Sequence, residues 1–235
     1  MRKNGYSRAF REFNANLGRA RHLRILEKKH FKDPPASADQ GAVEALRGGA
    51  VVLLVATLET YIVDAIEEHV EVIGLKAGKT THASLAAKFV QHNDFSFINW
   101  IVRDARQSKT ERVLELKRVA RLIANDGFVL ESFSRIRANP GPEAIKELIR
   151  EFGVTDALKV VEGNFRRHYK KPFSAGFMEA TLSNIISRRN EVAHEGYSLT
   201  ITRTDLGNWI GFVAAFVKAT DNTLRDHTRG ILSRL

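Results

Sequence analysis

The chain has 235 residues, enough for one large domain or two small ones with a buried core of their own. It contains no cysteine, which excludes structural disulfides, thiolate metal sites and cysteine nucleophiles and fits a reducing cytoplasm. The basic N-terminus lacks the apolar run of a signal peptide, and the longest apolar stretch, 50–58, falls short of the about 20 residues that span a bilayer. We therefore expect a cytoplasmic protein without a membrane segment.

The formal net charge of +10 is concentrated at the start of the chain. Residues 1–32 hold ten Lys or Arg against two Glu, whereas residues 33–100 hold four against nine acidic residues. Such a basic helix can neutralise the phosphates of RNA, although a membrane surface or an ordinary solvated face are alternatives. Phe10 and Phe13, among these arginines, suit docking on a core equally well. We assign 1–32 to a basic N-terminal helical arm and 33–235 to a second unit.

Apolar residues recur every three or four positions along most of the chain and strand signals are few, so the sequence predicts an all-α fold. A first helix is predicted from about Ser7 to His30, before the break at 33–35. A second is predicted from Ser37 or Asp39 to about Ile73, with Gly74 as its C-cap. Two adjacent glycines inside this helix, at 48 and 49, indicate a kink or a close helix crossing.

The middle, 80–137, predicts two or three less regular helices, with breaks at 93–94 and 125–127. After a turn at 139–142, Pro142 is expected to open a helix over 143–152, and a short helix follows from Thr155.

Two further helices close the predicted fold. Ser174 is expected to cap a helix that runs to Glu195 and ends at Gly196. The last helix is predicted to begin near Thr204 and to form part of the bundle core. Its apolar residues are Leu206, Trp209, Ile210, Phe212, Val213, Phe216 and Val217.

Chemistry-bearing residues are few. The sequence has no glycine-rich phosphate loop, no His-Glu-x-x-His and no aspartate-rich cluster, so neither a cofactor nor a metal is expected. The apolar stripe that carries Leu182 and Ile185 continues by helical spacing onto Arg189 and Asn190. Charged or polar groups placed where a core helix carries aliphatics must be paired or functional.

Two interpretations of this segment stand side by side. In the first, Arg189 forms a buried salt bridge with Glu59 or Asp64, and His194 is simply favoured by the dipole at the helix C-terminus. In the second, Arg189, Asn190 and His194 form a chemical site. Asn190 and His194 are four residues apart and share a helix face, while Arg189 must reach across with its long side chain.

The arrangement Arg189-Asn190-x-x-x-His194 resembles the Arg-x(4–6)-His motif, with a polar second residue, of the HEPN superfamily. The surrounding SRRNEVAHEG is similar to the RiboL-PSP-associated branch. The helix AVVLLVATLETYIVDAIEEHV, at 50–70, resembles the first long helix of that branch. The resemblance covers roughly residues 40–225 and leaves the basic segment 1–32 outside.

This resemblance implies a helical bundle with helices inserted in the middle, which dimerises with the two motif helices face to face. It also implies a metal-independent endoribonuclease site, often in toxins or antiviral defence proteins, with Arg189, Asn190 and His194 as catalytic residues. RNA, a second copy of the chain and an antitoxin or regulatory protein are the expected partners. The alternative is a non-catalytic RNA-binding subunit or helical adaptor. Residues expected to contact the RNA backbone, or else to form solvated surface, are Arg188, Arg166, Arg167, Lys170 and Lys171.

Overall fold

The computed structural model describes residues 5–77, 98–99, 101–103, 107–124, 141–154, 156–195 and 201–233. All regular structure within these ranges is helical, which confirms the all-α prediction. A 3₁₀ turn at Ser37–Asp39 leads into the second helix. The helices are α1 Arg8–His30, α2 Gln40–Ala77, α3 Lys109–Ala124, α4 Pro142–Glu151, α5 Ala157–His168, α6 Phe177–Glu195 and α7 Arg203–Leu232.

Helix α2 is the centre of the bundle, and α1, α6 and α7 pack around it. By length and composition the stretch Ser37–Ile73 would suffice to cross a membrane. In the fold its apolar side chains are instead covered by the neighbouring helices. Every apolar residue predicted for the core of α7 is buried as well, so the two helices supply most of the core. Fully buried members of α2 include Ala50, Leu54, Leu58, Ile62, Ala65 and Ile66.

Helix α1 is docked along α2 and α7. Its start is held by Ser7, whose side chain caps the helix and donates a hydrogen bond to the buried carboxylate of Asp221. The backbone N–H groups of Arg8 and Ala9 donate to the two carboxylate oxygens of Glu68 in α2, each at 3.0 Å. These contacts satisfy N–H groups that a helix leaves open at its N-terminus.

The apolar side of α1 also faces the core, through Ala9, Phe10, Phe13, Leu17 and Ala20. Of the two roles open to the aromatic residues of this segment, docking is therefore the one that Phe10 and Phe13 fulfil. Whether 1–32 and 33–235 fold as separate units stays a prediction.

A buried charge cluster joins the other end of α1 to α2 and α7. The fully buried Glu27 accepts hydrogen bonds from Arg47 Nε at 3.0 Å and from Arg203 Nε at 2.8 Å. Asp33 accepts from Arg47 Nη2, also at 3.0 Å, and Arg47 Nη1 donates to the carbonyl of Ile201 at 3.1 Å. Two arginines and two carboxylates balance in charge, as burial requires.

Most predicted helix boundaries are confirmed, and two are wrong. Helix α2 continues through Gly74 to Ala77, because a glycine weakens a helix by about 1 kcal/mol without obliging it to end. Ser174 does not cap α6 directly, since a turn with Gly176 at φ 78° separates it from Phe177. Pro142 opens α4 as predicted. The expected breaks at 93–94 and 125–127 and the expected end at Gly196 lie outside the described residues.

Candidate active site on the motif helix

The site lies on α6, the helix that carries the Arg-x4-His motif. Met178, Leu182 and Ile185 are buried and fix one side of α6 in the core. Near its C-terminus α6 crosses α2 closely, because a Cβ atom built on Gly48 would lie only 3.0 Å from Val192 Cγ1. The predicted close crossing at the glycine pair is thus observed, and it brings the motif against the central helix.

Arg189 is half-buried between α6 and α2. Its Nη1 donates to Asn190 Oδ1 at 3.0 Å, and its Nη2 lies 3.7 Å from Glu59 Oε2. The side chains of Arg189 and Glu59 keep 17% and 18% of their surface exposed, so neither is sealed from solvent. Of the two acids considered as salt-bridge partners for Arg189, the structure thus pairs it with Glu59.

The ion pair between Arg189 and Glu59 is long, at 3.7 Å. Burial raises the pKa of the Glu59 carboxyl above its usual value, and the attraction of Arg189 only partly opposes this effect. A tight, bidentate guanidinium would instead favour the charged carboxylate. The contact therefore orients Arg189 without closing it off from an anionic ligand.

His194 lies one turn beyond Asn190, on the same helix face, and its side chain is exposed. It forms no hydrogen bond or ion pair with any residue that the structure describes. One chain thus brings Arg189 and Asn190 together and leaves His194 open beside them. The arrangement offers a guanidinium for a phosphate, an amide that orients the guanidinium, and an imidazole that can accept or donate a proton.

The five residues predicted to contact RNA fall in two places. Arg188 lies on α6 itself, where its Nη1 donates to Glu191 Oε2 at 2.7 Å. The other four lie at the end of α5 and in the loop that follows. Arg166 pairs with Glu162 and covers the Phe173 ring at 4.6 Å, whereas Lys170 and Lys171 are exposed. The structure does not bring this second group into contact with Arg189 or His194 through any described residue.

The sequence did not predict the charged residues that hold the start of α7 against α2. Arg47 holds the carbonyl of Ile201, where the chain returns from α6 to start α7, and Glu27 holds Arg47 in place. The one available signal was Glu27 itself, a lone acid in the basic second half of α1.

Among the described residues, no three His, Asp or Glu side chains are grouped as a metal site would require.

Comparison with known proteins identifies the family of the chain. The model of the RiboL-PSP-HEPN family matches residues 15–226, which include α2, the motif helix and most of α7. The match starts inside α1, so the likeness reaches further toward the N-terminus than the expected 40–225. No curated protein and no solved structure matches the sequence significantly. HEPN domains commonly bind RNA, often as nucleases, and often dimerise, and this chain belongs to the RiboL-PSP-HEPN family.

Proposed function

We propose that this protein is a metal-independent endoribonuclease with Arg189, Asn190 and His194 at its centre. The observation that carries the proposal is the Arg189–Asn190 hydrogen bond within an intact motif, beside an exposed His194. Family membership supports an RNA-related function in general. The particular chemistry rests on the three side chains and on what RNA itself can do.

RNA carries its own nucleophile, the 2′-hydroxyl next to each phosphodiester. His194 accepts the proton of this hydroxyl, and the 2′-oxygen attacks the adjacent phosphorus. The bond between phosphorus and the 5′-oxygen breaks, and the leaving oxygen takes up a proton. Arg189 stabilises the negative charge that develops on the phosphorane, while Asn190 orients the guanidinium. The products are a 2′,3′-cyclic phosphate and a 5′-hydroxyl.

The wider setting is part of the same proposal. Since no hydrogen bond joins His194 to Arg189 or Asn190 within one chain, two motif helices facing each other in a homodimer would complete the site. Such an enzyme would act in the cytoplasm as a toxin or defence effector, and an antitoxin or another regulatory protein would restrain it. Family membership supports dimerisation in general, and the toxin or defence role is proposed from the resemblance to the HEPN superfamily.

Cleavage of labelled RNA in excess EDTA tests the proposal. Wild type should cut, and His194→Ala should lower the rate by about 10² to 10⁴, the usual contribution of a positioned acid or base. His22→Ala is the matched control, because His22 is an exposed histidine on α1, outside the motif. It should cut like wild type. Equal loss in both variants, or no cutting by wild type, would contradict the assignment.

A second candidate is a non-catalytic RNA-binding subunit or helical adaptor whose motif holds a dimer together. The contact between Arg189 and Glu59 favours it, because it ties the arginine to the fold. In that case Arg189→Ala should break the dimer, and wild type should bind RNA without cutting it. Light scattering alongside the cleavage assay separates the two functions.

A further inference from the structure

Three helices place their ends at one pole of the bundle. Leu23 of α1 and Val192 of α6 contact the adjacent glycines of α2, because Cβ atoms built on Gly49 and Gly48 would lie 3.5 Å and 3.0 Å from them. Both helices run antiparallel to α2. Helix α7 begins at the same level, where Arg47 binds the carbonyl of Ile201. The last turn of α1, the end of the motif helix and the first turns of α7 thus share what we call the motif pole.

Two cations from distant parts of the chain each lie against one of two adjacent residues of α7 at this pole. The guanidinium of Arg24 lies 2.8–3.1 Å from the position that a Cβ atom on Gly207 would occupy. The Nζ of Lys171 donates to Asn208 Oδ1 at 2.9 Å, on the very next residue. Arg24 Nε is buried without a hydrogen-bond partner in the described structure. Because Gly207 has no side chain, the guanidinium of Arg24 can lie close against α7.

Several acidic groups at the motif pole are already used within the fold. Glu27 and Asp33 pair with Arg47 and Arg203, and Asp205 completes the N-terminal cap of α7. Asp39 and Glu44, at the start of α2, form no ion pair within the described residues, and the cations without an acidic partner outnumber these two acids. Exposed lysines of this pole that form no ion pair within the described residues are Lys28, Lys29 and Lys32.

The opposite pole is different. Arg8, at the start of α1, lies 3.8 Å from Glu12, and Glu68 and the exposed Glu71 of α2 are at the same level. In the last turns of α7, Arg229 pairs with Asp226 at 3.5 Å. Positive charge on α1 is thus neutralised at one end of the helix and left open at the end beside the motif.

We propose that the RNA backbone binds across the motif pole, with its phosphates on Arg24 and Lys28 of α1 and on Lys171 beside α7. This proposal rests on the ribonuclease function and names the substrate path for the same site. Because α1 and α6 both pack on α2, at Gly49 and Gly48, at most about two helix spacings of 8–10 Å lie between them, and one strand can reach from these cations to His194. The basic segment of α1 and the basic cluster after α5 then form a single surface.

Deletion of residues 1–32 is unsuitable as a test, because it would leave the buried Arg47 without its partner Glu27. Point substitutions keep the fold. The test variant is Arg24→Gln/Lys28→Gln/Lys171→Gln. The control variant removes the same number of charges at the opposite pole: Arg8→Gln/Arg11→Gln/Arg229→Gln.

Binding is measured with a fluorescent single-stranded RNA of about 20 nucleotides, longer than the usual site size of single-strand binders, in a His194→Ala background that does not cut. The test variant should lower the slope of log affinity against log salt by about 2, since each phosphate contact to a single strand contributes about 0.7. The slope of the control variant should differ from that of wild type by no more than about 0.7, the contribution of one phosphate contact. Thermal unfolding of both variants confirms that they fold.

Equal slopes for the two triple variants would overturn the proposed surface while leaving the nuclease assignment intact, provided that wild type still cuts RNA. Absence of both binding and cutting in wild type would overturn the surface and the nuclease function together. In the last part of the experiment, the binding measurement is repeated with vesicles rich in phosphatidylserine. If they bind wild type through the same three residues and RNA does not, the surface recognises a membrane and the proposal is wrong.

Discussion

Two contacts of Arg189 have opposite implications. Its contact with Asn190 belongs to the motif, whereas its contact with Glu59 ties it to the central helix. The loss of Arg189 therefore has two separable effects: one on stability, through an unpaired Glu59, and one on RNA, through a missing cation. The two can be distinguished because Glu59 can be neutralised independently.

We expect Arg189→Ala to destabilise the fold by about 1–3 kcal/mol, because it leaves a half-buried carboxylate without its cation. In a Glu59→Gln background the same change should cost clearly less, since contacting residues are not additive. Cleavage should fall in both backgrounds if Arg189 acts on RNA. Thermal unfolding and RNA cleavage of the four proteins check this, and recovery of cleavage in the double variant would assign Arg189 a structural role alone.

His69 is a fully buried histidine of α2. Its Nδ1 donates to Thr228 Oγ1 at 2.9 Å, since that hydroxyl already donates to the carbonyl of Leu224. Burial lowers the pKa of His69 to about 4; the charge of Glu68 opposes this effect, and the charge of Arg225 adds to it. The native state therefore holds His69 neutral under conditions in which the unfolded chain protonates it.

Because the folded pKa of His69 lies below the unfolded value, its contribution to stability is complete above about pH 6.5 and declines as the pH falls toward 4. The loss over this window should be about 3 kcal/mol. Chemical denaturation of wild type and His69→Gln between pH 7 and pH 4 measures it. Glutamine does not titrate, so parallel stability curves for the two proteins would contradict the buried neutral state.

At this scale the sequence predicts less than at the level of helices. It predicts Arg189, Asn190 and His194 as a site, which stays a prediction, and it named Glu59 as one of two acids that could pair with Arg189. It did not predict Arg24 against Gly207 or Glu27 between two arginines, because such contacts join residues far apart in the chain and depend on how helices cross. Helical periodicity shows which face of a helix is buried, but it does not show which residue of another helix lies against that face.

Among helices, the crossing of α2 and α6 positions the motif. A side chain at Gly48 would meet Val192, whereas one at Gly18 of α1 would meet nothing within 4 Å. The two glycines lie inside helices, so they share the intrinsic cost of glycine and differ only in their surroundings. They form a matched pair for testing the crossing.

Gly18→Ala should stabilise the protein by up to about 1 kcal/mol, the helix propensity gained. Gly48→Ala should not, because Val192 must give way, and Gly48→Leu should cost about 1–3 kcal/mol and lower RNA cleavage by moving the motif helix. Thermal unfolding and cleavage rates check both. A stabilised, fully active Gly48→Leu variant would show that the close crossing does not position the site.

Within the described residues, helix order, most helix positions and the all-α class could be predicted from the sequence, since 3.6-residue periodicity and proline breaks mark them directly. Two helix ends were misplaced: α6 begins after a turn at Gly176 and not directly after Ser174, and α2 continues past the expected C-cap Gly74. Stop signals of this kind permit a helix to end without requiring it.

At the scale of the whole molecule, the proposed site needs a second copy of the chain. We expect a homodimer at micromolar concentration in light scattering, with a far-ultraviolet circular dichroism spectrum dominated by helix. A monomer that still cuts RNA would contradict the composite site, although the helical fold would stand. A monomer without activity would leave the adaptor as the better account.

Product chemistry tests the central claim most directly. An RNA with one 2′-deoxy sugar at a mapped cut site should resist cleavage there in EDTA, while neighbouring sites are cut at their normal rates, because the removed hydroxyl is the nucleophile. Products from unmodified RNA should carry a 2′,3′-cyclic phosphate and a 5′-hydroxyl. Cleavage at the deoxy-substituted site, or products with a 5′-phosphate, would contradict transesterification by Arg189, Asn190 and His194.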